Sequence, residues 1–188
     1  MAAVTKILEA FSVTHAAILD GDTGAEELDG DIYGIENANI TPDLGSYDNV
    51  GDDVVRSTWD WFNKATVAIQ AGYLPFDLAA LIYGCTVSSS GSGAGIRYDL
   101  PLWEKRGSNI VTRPLQVRCE AKDSNGNLRW FDFVFFKAKF KPINFTGPAY
   151  KDGLKVNYEA TILMSSVNEA GAVLAYEAVG RIVSTQQA

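Results

Sequence analysis

The sequence predicts a mainly β chain of antiparallel strands with one short α-helix. Apolar and polar residues alternate over residues 65–71, 111–121 and 154–164, which is the period of half-buried strands. The pair Asn125-Gly126 favours the left-handed backbone of a tight turn, so the segments on either side are expected to form a hairpin. Residues 74–84 instead repeat leucine and isoleucine at helical spacing, which indicates a short helix.

The first third of the chain is predicted to contain little regular structure. We expect an N-terminal arm and first strand over residues 1–31, a short strand near residues 32–40, and a long loop over about residues 42–56. Unstructured loops of that length inside a compact domain usually have a function. We therefore interpret this loop as a segment that orders against a partner.

The middle of the chain contains the predicted helix and a second loop. Pro75 suits the first helical turn, and Gly84 can end the helix in a left-handed conformation. An amphipathic helix among strands is expected to bury its apolar stripe against a sheet face. Residues 88–97 are rich in serine and glycine and are predicted to form a flexible loop.

Residues 110–183 are predicted to form a hairpin-rich β core, with a turn at Gly171 before a last strand near residues 173–183. The strand after Asn125-Gly126 is unusual because simple alternation puts apolar residues on both faces, whereas an antiparallel strand normally has one apolar face. One face holds Trp130, Val134, Phe136 and Phe140, and the other holds Phe131, Phe133 and Phe135 followed by Lys137, Lys139 and Lys141. We expect the helix or a neighbouring copy of the chain to cover the Phe131, Phe133 and Phe135 face, with the lysines marking where that cover ends.

Length and composition predict one soluble globular domain over residues 1–188. Hydrophobic residues make up 47% of the chain and charged residues 21%, and no run of about 18 apolar residues is present to cross a membrane. The N-terminus lacks the pattern of a secretory signal. Without an export signal, Cys85 and Cys119 are expected to be buried free thiols.

Charge is distributed unevenly along the chain. Residues 1–60 hold 13 acidic side chains against Lys6 and Arg56, a net charge of −11, whereas residues 61–188 have a net charge of +4. An acidic first third disfavours tight binding to nucleic-acid phosphates through that part, and it is compatible with a surface that mates with a basic patch.

Catalytic and metal sites find little support in the sequence. His15 is the single histidine, so a catalytic triad or a histidine-cluster metal site would have to be built from one imidazole. Asp20, Asp22 and Asp31 resemble part of a calcium loop, but Ala25 stands where that motif needs glycine, and no glutamate closes the loop. We predict no enzyme activity, no cofactor and no metal site.

Three regions together resemble a known family. They are the acidic stretch ITPDLGSYDNVGDD, the aromatic entry TWDWFNKATVAIQAGYLPFDLAALIYG, and the hairpin AKDSNGNLRWFDFVFFKAKFKPI. Their order is similar to that of the major tail tube protein of long-tailed, siphovirus-type bacteriophages, especially those of actinobacterial hosts. The resemblance covers roughly residues 32–182.

The resemblance implies a tail-tube fold, which is an antiparallel β-sandwich or barrel flanked by a short helix, with a long inter-strand loop and extended termini. It also implies hexameric rings that stack into a hollow tube through which DNA passes without specific binding. Expected partners are further copies of the chain and the tape measure, tail terminator and tail tip proteins, with assembly in the host cytoplasm into the virion tail and no membrane contact. The residues expected between subunits are Leu44, Tyr47, Asn49, Asp52, Asp53, Trp59, Trp61, Lys137, Lys139 and Lys141.

A carbohydrate-binding β-sandwich is the alternative function. Trp59, Trp61 or Tyr47 would then form a platform, because flat aromatic rings stack on sugar faces. Large aromatic residues are also the usual anchors of protein interfaces and cores, and we favour that interpretation here.

Overall fold

The structure is mainly β. A computed structural model describes residues 7–51, 54–100, 112–123, 126–146 and 155–186, and strands make up 66% of it. Its elements, in chain order, are β1 (Ile7–Leu19), β2 (Glu26–Asp31), β3 (Ile35–Gly51), β4 (Val54–Ala71), α1 (Phe76–Tyr83), β5 (Ser88–Ser90), β6 (Arg97–Asp99), β7 (Thr112–Asp123), β8 (Leu128–Phe140), β9 (Asn144–Thr146), β10 (Lys155–Ile162), β11 (Ser165–Val167), β12 (Val173–Ala178) and β13 (Gly180–Gln186).

One antiparallel sheet of nine strands carries most of the fold. Its strand order is β2-β1-β7-β8-β10-β4-β3, with β13 also pairing with β8 and β9 with β10. The main hydrophobic core joins residues from both ends of this order, such as Ile18 on β1, Val117 on β7, Val67 on β4 and Tyr158 on β10. The sheet therefore folds over its own core as a sandwich does. Its described strands do not close into a barrel, so of the two predicted forms the structure supports the sandwich-like one.

A β-bulge divides strand β8 into two parts, and each part belongs to a different half of the sandwich. Arg113 pairs with Ala138 but Leu115 pairs with Phe135, so β8 has one residue more than β7 between these two pairs. An extra residue reverses which side chains face the core. The core face therefore runs from Phe133 and Phe135 to Ala138 and Phe140.

The bulge corrects the predicted position of the lysines. Lys137 and Lys139 are exposed and alternate with the core residues Ala138 and Phe140, so they lie on the face opposite to Phe135. The expectation that these lysines continue the phenylalanine face is wrong, because it assumed an unbroken period of two along β8.

Both apolar faces of β8 are covered by the chain itself. Leu78 and Ile82 of α1 share the main core with Phe135, and Phe133 packs against the same cluster. The opposite face, with Val134 and Phe136, packs against Leu19 and against side chains of β12. Phe135 thus shares a core with α1, whereas Phe131 and Phe133 of the predicted face line an apolar groove. Packing of β12 against the second face was not predicted.

Helix α1 has the predicted ends. It follows Pro75 and stops at Gly84, whose φ of 62° is left-handed and whose N–H donates to the carbonyl of Leu81. The Tyr83 hydroxyl accepts a hydrogen bond from the Ile143 amide at 2.8 Å, which ties the helix to the segment after β8. No helix in the described ranges has the length and hydropathy needed to cross a membrane.

Gly180 allows β13 to lie close to β8. A Cβ atom at this position would come 2.2 Å from the carbonyl oxygen of Val134. The neighbouring Val179 carbonyl accepts a hydrogen bond from Phe136, beside the bulge. This corner splits the predicted last strand into β12, which pairs with β11, and β13, which pairs with β8.

Several predicted loops are strands. Residues 42–51 continue β3 and residues 54–56 begin β4, so the long loop predicted over residues 42–56 is wrong wherever the backbone is described. The serine- and glycine-rich segment forms the small β5–β6 hairpin. Polar composition misled both predictions, because polar residues and glycine are depleted in strands in general but do not prevent strand pairing at individual positions. The turns at Gly126 and Gly171 are confirmed, with φ of 82° and 74°.

We predict that truncating Leu78 destabilises the protein strongly. Its side chain is 0% exposed in the core under α1, and Leu→Ala changes at such sites cost about 2–5 kcal/mol of unfolding free energy. Leu28, which is 95% exposed on β2, is the matched control, and Leu28→Ala should cost less than about 0.5 kcal/mol. Chemical denaturation of both variants checks this, and equal losses would contradict the position of α1.

Candidate assembly surfaces

A long two-stranded arm projects from the sheet. Strands β3 and β4 pair from Ile35 and Ala71 at one end to Gly51 and Val54 at the other. Strand β10 accompanies β4 only between Ala65 and Ala71. We call residues 43–51 and 54–64 the arm, because no described strand flanks that part of β4. At about 3.3 Å per residue, the arm reaches roughly 30 Å beyond β10.

Five of the ten predicted interface residues lie on the described part of this arm. Backbone pairing places Leu44 opposite Phe62, Tyr47 opposite Trp59, Gly45 opposite Trp61 and Asn49 opposite Ser57. Leu44 is 62% exposed. The side chains of Tyr47, Asn49, Trp59 and Trp61, and the whole of Asp52 and Asp53, lie outside the described residues.

The base of the arm is attached to the body by polar and apolar contacts. Asn63 donates a hydrogen bond to Asp43 at 3.1 Å, and Lys64 lies 3.9 Å from the same carboxylate. Phe62 packs against the main core. Beyond this point an isolated two-stranded ribbon is only marginally stable in water, since stable sheets need a third strand or a packed face.

An apolar groove opens between β3 and the β1-β7-β8 side of the sandwich. Its volume is about 230 Å³, and its walls are Val13, Ala38, Ile40, Val117, Cys119, Ala121, Phe131 and Phe133. Ligand pockets usually measure about 300–1,000 Å³. The groove is therefore of a size to receive one or two apolar side chains.

Cys119 is the one titratable group in the wall of the groove. Both Cys85 and Cys119 are free thiols and are half-buried, not fully buried as predicted. Burial raises the pKa of the Cys119 thiol, and the negative charge of Asp132 raises it further. The thiolate is thus disfavoured, which makes this cysteine an unreactive part of the wall.

The three lysines form a separate surface. Lys139 pairs with Thr161, which in turn lies opposite Thr66 on β4. This row places Lys139 on the outer face, two strands away from β4. Lys141 forms an ion pair with Glu159 of the same chain, and Lys137 lines a polar cleft with Ser165 and Glu177. The residues predicted as one interface therefore lie in two places.

Charged residues that the sequence did not reveal line the outer face of the β2-β1-β7-β8 side. Arg118 donates two hydrogen bonds to Asp132, at 2.6 and 3.1 Å, and its guanidinium lies 5.8 Å from the Trp130 ring centroid. His15 on β1 lies beside Glu26 and Asp31 of β2. These groups are far apart in sequence and meet only through strand pairing.

The acidic turn between β1 and β2 is built differently from the calcium loop considered above. One Asp20 carboxylate oxygen accepts hydrogen bonds from the amides of Asp22 and Thr23 at 2.7 and 2.9 Å. These bonds lower the pKa of Asp20. Asp31 lies at the end of β2, away from this turn, and faces His15.

Comparison with known proteins adds no family to these observations. A scan against models of protein families found no match, and a search of curated protein sequences found none either. The arm, the groove and the charged faces are therefore the features from which a function can be inferred.

We predict that Cys119 reacts slowly with thiol reagents. Because its pKa is raised, its labelling rate near pH 8 should fall below that of a free cysteine, whose pKa is about 8.5, and should approach it as the pH rises. Stopped-flow labelling of the Cys85→Ser variant isolates Cys119, and the Cys119→Ser variant isolates Cys85. A free-thiol rate for native Cys119 near neutral pH would show that the groove wall is open to solvent.

Proposed function

We propose that this protein is the tube subunit of a bacteriophage tail, a structural protein without catalytic activity. Six copies form a ring, and stacked rings form a hollow conduit through which DNA passes into the host. Growth of the tube uses a tape measure protein as template and the tail tip as nucleus, and a tail terminator protein ends it. The subunits assemble in the host cytoplasm and remain in the virion tail. The sequence resemblance suggests this class, and the surfaces described above support it.

The arm is the observation that carries the proposal. Strands β3 and β4 have 17 and 18 residues, about three times the usual strand length. Ordering each residue costs roughly 1–2 kcal/mol of conformational entropy. A ribbon that extends beyond its own sheet needs apolar burial or strand pairing to offset this cost. A neighbouring copy of the chain can supply both.

The body offers surfaces on which a neighbour can pack. Ile182 on β13 pairs with Phe133 across the ladder and is 63% exposed, so the face that contains the groove continues uncovered onto β13. On β12, Val173 and Tyr176 are 84% and 86% exposed. Exposed apolar surface of this kind commonly marks a protein interface.

Two sheet edges are also available for contacts between copies. Strand β13 pairs with β8, and β3 pairs with β4, each along one side within the described chain. The two edges carry different sequences, so a contact between them is head-to-tail, and contacts of this type generate rings or filaments. Strand β3 contains Pro42, and proline, which lacks a backbone N–H, is typical of edge strands.

Charge gives the contacts a direction. Lys137 and Lys139 are exposed on the outer face, whereas the first third of the chain carries a net charge of −11. A basic face on one copy and an acidic segment on the next attract each other and disfavour like-to-like packing. A subunit that carries both signs in separate places can therefore stack on itself in one orientation.

We predict that shortening the arm blocks assembly without unfolding the subunit. Deletion of Asn49–Asp53 removes part of the end farthest from β10, so circular dichroism and thermal unfolding should stay close to those of the parent protein. Negative-stain microscopy of the concentrated protein with tail-tip components should show tubes for the parent and none for the deletion.

A pair of leucine variants controls for a general loss of solubility or fold. Leu44→Asp places a charge on the arm, and Leu28→Asp places the same charge on an exposed leucine of β2. Only Leu44→Asp should stop growth. Normal tubes from the arm variants would show that the arm is not part of the contact between subunits. A persistent monomer whose tryptophan fluorescence responds to glycans would favour the carbohydrate-binding alternative.

We also predict that reversing the lysine charge weakens assembly. The double variant Lys137→Glu, Lys139→Glu should polymerise more slowly than the parent, and its rate should be less affected by salt, because salt screens the attraction that the parent uses. Arg97→Glu, in the exposed β6 strand, is the control and should behave like the parent. Light scattering at low and high NaCl measures the rates, and identical salt profiles for parent and double variant would refute the charge argument.

A further inference from the structure

Three potential metal ligands meet on the outer face of β1 and β2. The His15 Nε2 atom lies 3.1 Å from Glu26 Oε1 and 3.6 Å from Asp31 Oδ1, and the three atoms all lie within 4.8 Å of one another. We propose that His15, Glu26 and Asp31 bind a divalent transition-metal ion of the zinc type. This proposal holds whether or not the protein forms tubes.

The ligand spacing suits a tetrahedral ion. Zinc lies about 2.0–2.2 Å from nitrogen and oxygen ligands, so two ligand atoms of a tetrahedral site lie about 3.3–3.6 Å apart. The distances from the imidazole nitrogen are 3.1 Å, slightly below this range, and 3.6 Å, at its upper end. Three protein ligands leave a fourth position for water.

One of the oxygen atoms has no other partner. Asp31 Oδ1 is buried and accepts no hydrogen bond within the described structure, while Asp31 Oδ2 accepts one from the Tyr33 hydroxyl at 3.1 Å. The Nε2 atom of a histidine carries at most one hydrogen and therefore cannot serve both carboxylates well. A single cation between the three atoms satisfies all of them at once.

The local strand geometry explains why the ligands converge. Ala17 pairs with Asp31 and Leu19 pairs with Glu26, so two residue steps on β1 correspond to five on β2. This uneven pairing brings Glu26 and Asp31, at the two ends of β2, to the same histidine on β1. Gly30 permits this course, because a Cβ atom there would come 2.5 Å from the Ile18 carbonyl oxygen.

The chemistry of the ligand set favours zinc over calcium or magnesium. An imidazole nitrogen suits zinc, copper or nickel, whereas calcium and magnesium prefer oxygen ligands throughout. The Tyr33 hydroxyl orients the Asp31 carboxylate from outside the ligand set, as second-layer groups commonly do around metals. Bound there, the ion links the edge strand β2 to β1 and stabilises the folded state.

The single histidine makes the proposal directly testable in the full-length protein. Addition of ZnCl₂ should shift the ¹⁵N resonance of His15 Nε2, isothermal titration should give one site, and the thermal midpoint should rise. His15→Gln and Asp31→Asn should abolish these responses. Tyr33→Phe should weaken binding about tenfold.

Asp29→Asn is the matched control, because Asp29 is an exposed acid on the same strand that lies outside the ligand set. It should bind zinc like the parent. An unchanged His15 Nε2 resonance at saturating zinc would overturn the proposal, as would equal zinc affinity in Asp29→Asn and His15→Gln. Binding that disappears only in the Cys85→Ser or Cys119→Ser variants would also overturn it.

Discussion

The fold depends on burying strand β8 on both of its faces. Phe135 is buried in the main core that α1 shares, while Val134 and Phe136 pack against β12 and Leu19. Burial of each large apolar side chain contributes about 1.5–3 kcal/mol, so neither face can be left in water without a substantial loss. The bulge near Phe136 allows β8 to bury apolar residues on both faces. It also allows the strand to pass from one half of the sandwich to the other.

Covering β8 determines the positions of the remaining elements. Strand β13 reaches β8 through the close approach at Gly180, and the β11–β12 hairpin extends over the second apolar face as a result. Strand β10 takes over the same edge of β8 where β13 ends, since Phe140 pairs with Ala160 and Phe135 with Gly180. The halves of the sandwich are therefore joined through one continuous backbone.

The sequence predicted features that depend on near neighbours and missed those that depend on distant ones. The helix ends, the turn at Gly126 and the strand alternation of β10 follow from local residue preferences, and all are confirmed. The bulge in β8 arises from pairing with β7, so a strict period of two put the lysines on the wrong face. Residues 42–56 were interpreted as a loop because Pro42, the glycines and the acidic residues of this segment are unfavourable in central strands but acceptable in edge ribbons. His15 was judged as a lone histidine, since Glu26 and Asp31 approach it only through the uneven pairing of β1 and β2.

The arm is long compared with the body of the subunit that carries it. A compact chain of this length has a radius of gyration of about 16 Å, whereas the arm alone extends roughly 30 Å. Its outer end therefore lies beyond the envelope of its own body, at a distance where the centre of an adjacent body would be found. In the proposed assembly, a bend or a twist imposed on one body would be transmitted through such a lever to the next, so stiffness would be a property of the array and not of any single molecule.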